Sequence, residues 1–252
     1  MRVIVTRPVA QAAQWVSRLV ERGIDALALP LIDIGAPSDI AAVEDAWREL
    51  SSKRLVVFVS PNAVEQFFAH RPASVAWPAQ LSVASTGPGT TQALQQLGVN
   101  PTAIIEPAPD APQFDSEALW AHLQTQDWTG AAVLIVRGDG GRDWLADTLR
   151  RHGARVDFVA AYRRTPARFD GDAMRCSSDA LQRPEEHLWL FSSSEAIDHL
   201  VRACPGNDWT RSQAIATHPR IAERARDCGF GVVREARPGF EAVVACIQSI
   251  AS

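Results

Sequence analysis

Small polar residues and arginines follow short apolar runs at six places along the chain, and together they could bind carboxylates. Arginine presents a planar fork that fits a carboxylate, and the free N–H groups at a helix N-terminus attract anions. This pattern favours a site for a large anion with several carboxylates. The six segments are Thr6-Arg7-Pro8, Ser60-Pro61-Asn62, Thr86-Gly87-Pro88-Gly89-Thr90, Arg137-Gly138-Asp139-Gly140-Gly141, Ser192-Ser193-Ser194 and Thr217-His218-Pro219-Arg220.

These segments take their positions from an alternation of strands and helices. Short β-branched and apolar runs predict strands, and helical patterns separate most of them, for example at 11–21 and 143–151. Such an alternation is typical of an α/β fold, whose parallel sheets carry helices on both faces and bind ligands beyond the carboxyl ends of the strands. The predicted strands span residues 3–5, 26–29, 55–59, 81–85, 103–105, 133–136, 158–161, 188–191, 214–216 and 232–233.

The chain contains a duplication that covers most of its length. Residues of matching type recur 130 to 133 positions apart, namely Arg7 with Arg137, Gly23 with Gly153, Ser60 with Ser193, Thr86 with Thr217, Pro88 with Pro219, and Gly98 with Gly229. General similarity among βα units explains the apolar strands and the glycines, but it explains the matched arginines and hydroxyls less well. We therefore expect two similar lobes whose strand-end edges face each other across a cleft.

Composition and charge exclude several classes of function. The formal net charge is −4 and the pI is about 5.9, which argues against nucleic acid as a partner because phosphate contacts need clustered basic residues. The four cysteines lack metal-ligand and CxxC spacing, so we expect no metal. No apolar run approaches the roughly 20 residues that span a bilayer, and no signal-sequence pattern precedes the first strand. These features predict a cytoplasmic protein without a membrane partner.

Five motifs occur in an order and at a spacing that together are specific. They are VTRP at 5–8, SPNAV at 60–64, TGPGT at 86–90, VRGDGGRDWLADTLRRHGARV at 136–156 and AYRR at 161–164. In this order, and together with the duplication, they resemble the uroporphyrinogen-III synthase family. The resemblance extends over about residues 1–235.

The resemblance implies an α/β fold with two similar domains, each a parallel β-sheet flanked by helices, joined by a two-stranded linker. On this chain it implies a discontinuous domain, 1–34 plus 167–252, an inserted domain, 37–162, and linkers at 29–36 and 161–166. The implied reaction is the cyclodehydration of hydroxymethylbilane, with inversion of ring D, to uroporphyrinogen III. It implies no cofactor. Whether the product serves haem, sirohaem or cobalamin synthesis stays open.

The lone tyrosine, Tyr162, is the catalytic candidate that the resemblance implies through the AYRR motif. Its hydroxyl would donate a proton or a hydrogen bond to the departing hydroxide, and its alternative role is packing at a hinge. The substrate-binding candidates follow strand ends, and their alternative roles are helix capping and surface ion pairs. They are Arg7, Ser60, Asn62, Thr86, Gly87, Thr90, Arg137, Gly138, Ser193, Ser194 and Thr217.

Two other classes of function stay open at this point. A non-catalytic two-lobed binding protein for a small polyanionic ligand would show the same duplication and the same connectors. A nucleotide-binding enzyme would explain the glycine-rich segment after the strand at 133–136, but the GxGxxG and GxxxxGK[ST] motifs are absent. For a synthase, we expect a monomer whose partner is hydroxymethylbilane, and transient contact with the preceding pathway enzyme stays open.

Overall fold

Two β-sheets, each in its own unit of the chain, carry the structure. The computed structural model describes residues 1–169 and 171–251. Asp170 and Ser252, which belong to the predicted discontinuous domain, lie outside the described residues. The predicted domain ranges differ by one to three residues from the bounds of the two units, which are Met1–Asp33 with Thr165–Ser252, and Ile34–Arg164.

Strands and helices alternate along the chain. The strands are β1 (Arg2–Val5), β2 (Ala26–Ala28), β3 (Ile32–Gly35), β4 (Leu55–Phe58), β5 (Ser82–Ser85), β6 (Ile104–Ile105), β7 (Ala132–Gly138), β8 (Arg155–Pro166), β9 (His187–Phe191), β10 (Gln213–Ala216) and β11 (Val232–Glu235). The helices are α1 (Val9–Glu21), α2 (Ile40–Arg48), α3 (Pro61–Ala69), α4 (Pro88–Gln96), α5 (Ser116–Leu123), α6 (Trp144–Arg151), α7 (Gly171–Gln182), α8 (Ser194–Ala203), α9 (Pro219–Asp227) and α10 (Phe240–Ala251). Three short 3-10 turns occur at Leu50–Ser52, Pro101–Ala103 and Pro184–Glu186.

The sheet of the first unit is parallel and has the strand order β2-β1-β9-β10-β11. Its second strand, β1, comes from the start of the chain, and it pairs with the central strand β9, in which Trp189 lies opposite Ile4. This pairing makes the unit discontinuous in sequence.

The sheet of the second unit has the order β3-β8-β7-β4-β5-β6, and the pairings from β8 through β6 are parallel. Without the edge strand β3, this order repeats that of the first unit strand for strand. The predicted α/β class with parallel sheets is therefore confirmed.

The register of the strands repeats as well as their order. In the first unit Val3 lies opposite both Ala26 and Leu188. In the second unit Val133 lies opposite both Val156 and Leu55. Each residue of the second set is separated from its equivalent by 130 or 133 positions, so the sequence duplication is a duplication of the sheet itself.

The two copies differ at the connectors, and here the predicted strand bounds need correction. The predicted strand 158–161 and the predicted linker 161–166 form one continuous strand, β8. The predicted linker 29–36 is strand only over β3, because Pro30 has no N–H to donate and interrupts the ladder after β2. The chain passes between the units within β3 and within β8, which are neighbours in the sheet.

Helices cover both faces of the second sheet, because side chains alternate along each strand. Val56 and Phe58 pack in one buried cluster with residues of α2, α3 and α4. Leu55 and Val57 pack in another with residues of α5 and α6. The largest side chain of the first cluster, Trp47, donates from Nε1 to the carbonyl of Phe67 at 2.8 Å, so its polar atom is satisfied in the core.

In the first unit, α1 shows how the amphipathic pattern produces packing. Ala12, Trp15 and Leu19 lie on one helical face and are buried. They pack in a cluster with the β1 residues Val3 and Val5. This contact fixes α1 directly behind the strand that precedes it.

The start of β11 requires glycine at position 231. A Cβ atom there would lie 1.8 Å from the carbonyl oxygen of Thr210. We predict that Gly231→Ala lowers the free energy of unfolding by about 2–3 kcal/mol through overpacking, measured as the urea midpoint. Gly239→Ala, in the same unit and with no atom within 4 Å of its Cβ, is the control. Equal midpoints for the two variants would contradict the prediction.

Candidate active site

The polar candidates of the second unit come from four adjacent strands. Tyr162 lies in β8, Gly138 ends β7, Ser60 follows β4, and Thr86 follows β5. Because these strands are parallel and adjacent in that order, their carboxyl ends form one edge of the sheet. This edge is where α/β sheets of this kind place their ligands.

Tyr162 is buried, with 4% of its surface exposed. Its hydroxyl lies 3.1 Å from the hydroxyl of Ser60. The same Ser60 oxygen accepts from the amide of Ala63 at 3.1 Å and so caps the N-terminus of α3. Ser60 therefore caps α3 and also holds the Tyr162 hydroxyl at the start of that helix.

A β-bulge and a glycine make the space for the tyrosine ring. The register of β7 and β8 shifts between Arg137 and Gly138, which places Gly138 opposite Tyr162. A Cβ at position 138 would lie 2.9 Å from the ring carbon Cζ of Tyr162. The candidate Gly138 therefore allows the backbone of β7 to lie close to the tyrosine ring. A larger residue at this position would displace the ring.

The other polar candidates of this edge are wholly or partly covered by the protein. Thr86 donates from Oγ1 to the carbonyl of Val59 at 3.0 Å. Thr90 lies in α4 and is buried, and Asn62 is half-buried in the first turn of α3. At Gly87, a Cβ would lie 2.9 Å from Cβ of Phe114, so the loop before α5 packs on this turn.

A chain of hydrogen bonds beside this turn was not predicted from the sequence. Buried Ser85 and Thr91 share a hydrogen bond of 2.7 Å, and Thr91 donates to Oε2 of Glu106 at 2.6 Å. Glu106 directly follows β6, so its place after an apolar run was the signal that could have identified it. The network fixes the loop between β5 and α4.

Arg137 is neutralised within the protein. Its Nη1 lies 2.5 Å from Oδ1 of Asp143, the N-cap residue of α6. Its guanidinium carbon also lies 3.9 Å from the ring centroid of Phe158. Half-buried and held on two sides, this arginine is fixed in position at the end of β7.

Arg7, the equivalent residue of the first unit, has a different environment. Its guanidinium carbon lies 4.3 Å from the ring centroid of Trp15. Its Nε is buried and has no hydrogen-bond partner. Burial, which removes the charged group from water, lowers the pKa of Arg7 to about 10.

The remaining candidates of the first unit follow β9 and β10. Ser193 is the N-cap residue of α8, but its side chain makes no capping hydrogen bond, and Ser194 begins the helix. Thr217 is buried, and the next residue, His218, caps α9 by accepting from the amide of Arg220 at Nδ1. Ser193 and Ser194 are both half-buried, and the hydroxyl of Ser193 makes no capping hydrogen bond.

The described part of the chain contains neither a metal-binding cluster nor a membrane-spanning helix. Over residues 1–169 and 171–251, no group of three or more His, Cys, Asp or Glu side chains is placed to hold a metal ion. None of the helices described there is long and apolar enough to cross a membrane.

The fold and these edges define a class: a duplicated α/β protein in which each unit collects hydroxyls, helix N-termini and an arginine at the carboxyl ends of its strands. A family model described as uroporphyrinogen-III synthase HemD matches residues 13–245. The chain belongs to the uroporphyrinogen-III synthase family, a family of cyclising lyases of tetrapyrrole biosynthesis.

Curated relatives carry the same name. The uroporphyrinogen-III synthase of Salmonella typhimurium is 29% identical over 252 residues, which covers 94% of this chain and 95% of the relative. That of Escherichia coli is 29% identical over 246 residues with the same coverage. The enzyme of Proteus mirabilis is 32% identical over 169 residues, or 65% of this chain and 80% of the relative.

Solved structures share the fold at lower sequence identity. Uroporphyrinogen-III synthetase from Helicobacter pylori is 16% identical with a TM-score of 0.61, and covers 99% of this chain and 100% of that chain. A mutant uroporphyrinogen III synthase from Thermus thermophilus also has 16% identity and a TM-score of 0.61, over 100% of this chain and 98% of that chain. These likenesses support the fold.

The shared cap of Tyr162 and Ser60 is testable by a double-mutant cycle. Ser60→Ala should cost about 1 kcal/mol of unfolding free energy through the lost cap, and Tyr162→Phe about 1 kcal/mol through the lost hydrogen bond. Because the Ser60 hydroxyl takes part in both the helix cap and the hydrogen bond with Tyr162, we predict a coupling energy above about 0.5 kcal/mol, measured by denaturant unfolding.

The control cycle combines Tyr162→Phe with Asp39→Ala. Asp39 caps α2 of the same unit by accepting from the amide of Ala42 at 3.0 Å. These two changes should be additive. Additivity in the Ser60 cycle as well would show that the hydrogen bond between Ser60 and Tyr162 contributes nothing to stability.

Proposed function

We propose that the chain catalyses the cyclodehydration of hydroxymethylbilane, with inversion of ring D, to uroporphyrinogen III. The observation that carries the proposal is the family match, which runs from α1 through α10 and so includes both units. The alternative, a non-catalytic binding protein for a small polyanion, is not favoured by these relatives.

Much of the chemistry resides in the substrate. The bond between the hydroxymethyl carbon and its oxygen breaks, the pyrrole nitrogen supplies electrons to the carbon, and the oxygen leaves as water after gaining a proton. The resulting cation is attacked by the substituted α-carbon of ring D, which forms a bond to the former hydroxymethyl carbon. The bond from this ring-D carbon to the carbon that bridges it to ring C then breaks and re-forms at the free α-carbon of ring D. That carbon loses its proton, and ring D is thereby inverted. The protein must therefore help the hydroxide to leave and hold ring D in the reactive geometry.

We assign the first task to Tyr162. Its hydroxyl is fixed by Ser60 and by the ring contact at Gly138, so little reorientation is needed when it donates a hydrogen bond to the departing oxygen. Ser60 supports this role. Its oxygen accepts a hydrogen bond from the amide of Ala63, which favours donation of the Ser60 hydroxyl proton to Tyr162. The Tyr162 hydroxyl would then donate its own proton to the substrate.

We assign the second task to the strand-end residues. Carboxylates of the substrate would contact Ser193, Ser194 and Arg7 in the first unit, which have hydroxyl or guanidinium groups that no carboxylate of the described chain occupies. In the second unit, Arg137, Asn62 and the turn at Thr86 and Gly87 would orient the substrate, and Thr90 and Gly138 would shape the edge of the sheet. In the first unit, Thr217 would shape the edge in the same way. Half-buried hydroxyls and helix N-termini can bind many carboxylates without a large net charge.

We further propose that the protein acts in the cytoplasm as a monomer, in transient contact with the enzyme that supplies hydroxymethylbilane. Hydroxymethylbilane closes spontaneously to the type I isomer, so a short transfer path would favour the type III product. Size-exclusion chromatography of the pure chain tests the monomer, and a dimer would contradict it.

A coupled assay tests the reaction. Hydroxymethylbilane is generated in place, and the oxidised porphyrin isomers are separated. We predict that the type III isomer predominates when the chain is present. Formation of the type I isomer alone, at the spontaneous rate, would refute the proposed function.

Replacement of Tyr162 tests its role. We predict that Tyr162→Phe lowers kcat by about tenfold to a hundredfold, within the usual contribution of a positioned donor, while circular dichroism shows that the fold persists. Ser82→Ala, which removes a hydroxyl from β5 at the opposite end of the same sheet, should stay within about twofold of the wild type. Wild-type kcat in Tyr162→Phe would remove Tyr162 from the mechanism.

A further inference from the structure

Three side chains, the turn network, join the two ends of the turn that carries Thr86 and Gly87. Ser85 precedes the turn and Thr91 follows it, and their hydroxyl oxygens lie 2.7 Å apart. The hydroxyl of Thr91 also donates to Oε2 of Glu106 at 2.6 Å. Ser85 and Thr91 are buried and Glu106 is half-buried, so the carboxylate is the end of the network that stays partly exposed.

An ionised carboxylate fixes the direction of the hydrogen bonds in this network. Because a carboxylate can only accept, Thr91 must use its one hydroxyl proton toward Glu106. The oxygen of Thr91 then accepts the proton of Ser85, whose longer contact of 3.4 Å with the carbonyl of Gly87 is secondary. A hydrogen bond to a charged acceptor is also shorter and stronger than one between neutral groups. Glu106 therefore holds Thr91, and Thr91 in turn holds Ser85.

The turn has no side chain that caps the helix after it. Gly87 is the N-cap residue of α4, and the carbonyl of Gly87 accepts from the amides of Thr90 and Thr91. A larger residue at position 87 would be crowded, because a Cβ there would lie 2.9 Å from Cβ of Phe114. The turn network therefore supplies the link between turn and helix that a capping side chain would otherwise provide.

The first unit builds the equivalent turn without these hydroxyls. Ala216 ends β10 at the position where Ser85 ends β5. Ala222 is the fourth residue of α9, as Thr91 is the fourth residue of α4. Both alanines are buried. Apolar residues are therefore sufficient for packing between a strand and a helix at this place in the fold.

The equivalent carboxylate of the first unit also has a different partner. Glu106 and Glu235 each lie two residues beyond the residue that faces the second position of the neighbouring strand, so they are equivalent in register. Glu235 is exposed and accepts from Arg226 at 3.0 Å. Among its described residues, the first unit thus has no counterpart of the turn network.

Stability alone does not account for a polar network at this place. Buried polar groups first lose their contacts with water, so a satisfied network adds little net stability over well-packed apolar residues. A fully satisfied network does provide rigidity and one defined arrangement of its members. The second unit therefore retains a device that fixes geometry where the first unit retains only packing.

We propose that Glu106 is a positioning residue of the reaction. Through Thr91 and Ser85 it holds the turn of Thr86 and Gly87 in the one arrangement that orients the substrate. The inference rests on the proposed function, which assigns that task to the turn, and it adds a carboxylate that lies outside the sequence motifs. Glu106 acts through the turn and makes no contact with the substrate in this role.

The separate effects on KM and kcat distinguish positioning from a structural role. A contact that is equally strong before and in the transition state changes KM and leaves kcat in place. Loss of stability would instead reduce the amount of active enzyme, which lowers the apparent kcat at unchanged KM. For Glu106→Ala we predict that KM for hydroxymethylbilane rises by about fivefold to tenfold, as expected for a lost charge-assisted hydrogen bond, while kcat stays within about threefold.

Two variants of matched chemistry accompany this measurement. Glu235→Ala removes the equivalent carboxylate of the first unit and should leave KM within about twofold. Glu106→Gln keeps an amide oxygen that can accept from Thr91, so its KM should lie between those of Glu106→Ala and the wild type. Wild-type KM in folded Glu106→Ala would overturn the positioning role and leave the proposed function intact, because the type III isomer would still form.

The residues of the first unit supply the second test. Ser85→Ala with Thr91→Ala gives the turn the two alanines found there, so circular dichroism should show a Tm within a few degrees of the wild type. We expect KM to rise as in Glu106→Ala. Adding Glu106→Ala to this double variant should change KM by less than about twofold, because its effect passes through the two hydroxyls. A wild-type KM in the double variant, or a fully additive effect of Glu106→Ala, would overturn the proposal.

Discussion

The pairing of β1 with β9 is the constraint on which the first unit depends. Ile4 and Trp189 lie opposite each other although 185 residues separate them in sequence. This pairing brings the end of β1, which Arg7 follows, beside the end of β9, which is followed by Ser193 and Ser194 at the start of α8. Because β1 is also the partner of β2, its removal would divide the sheet and separate the elements of the edge. The proximity of the candidate residues Arg7 and Ser193 at this edge is therefore a consequence of non-local strand pairing.

The architecture could be predicted from the sequence because it rests on short-range patterns. Apolar runs such as Leu55–Phe58 predict strands, and the repeated offsets predict a repeated sheet. The length of β8 could not be predicted in this way, since the equivalent segment of the first copy is broken at Pro30. A strand continues or stops according to its neighbours, and the pattern within the segment does not contain that information.

The candidate site was predictable in position but not in detail. The strand-end rule located Ser60, Arg7 and Arg137 at the correct edges, and no rule of sequence could show that the bulge before Gly138 brings Tyr162 under Ser60. Likewise, Arg7 and Arg137 occupy equivalent positions in the duplicated sequence but make different contacts in the structure. Their states depend on the carboxylate of Asp143, which reaches Arg137 through a loop that has no equivalent between β1 and α1.

Duplication followed by divergence explains this inequality. The backbone register is the same in both copies, so equivalent side chains start from equivalent positions. Tyr162 corresponds to Ile32, and both are buried. Thr90 corresponds to Ile221, again both buried. The copies therefore differ mainly in which polar groups are retained and how they are compensated, which is sufficient to make one symmetric scaffold asymmetric in chemistry.

The late arrival of β9 also has a consequence for synthesis of the chain. On the ribosome, β1 emerges more than 180 residues before its partner strand β9. The inserted unit has all its strands by Arg164 and can fold first, while the apolar strand Val3–Val5 waits with an open edge. Chains whose strands pair with distant strands fold slowly. Until the partner strand is made, they expose unpaired apolar strands that are prone to aggregation. The same connectivity that places β1 beside β9 thus sets the order in which the nascent protein becomes protected from aggregation.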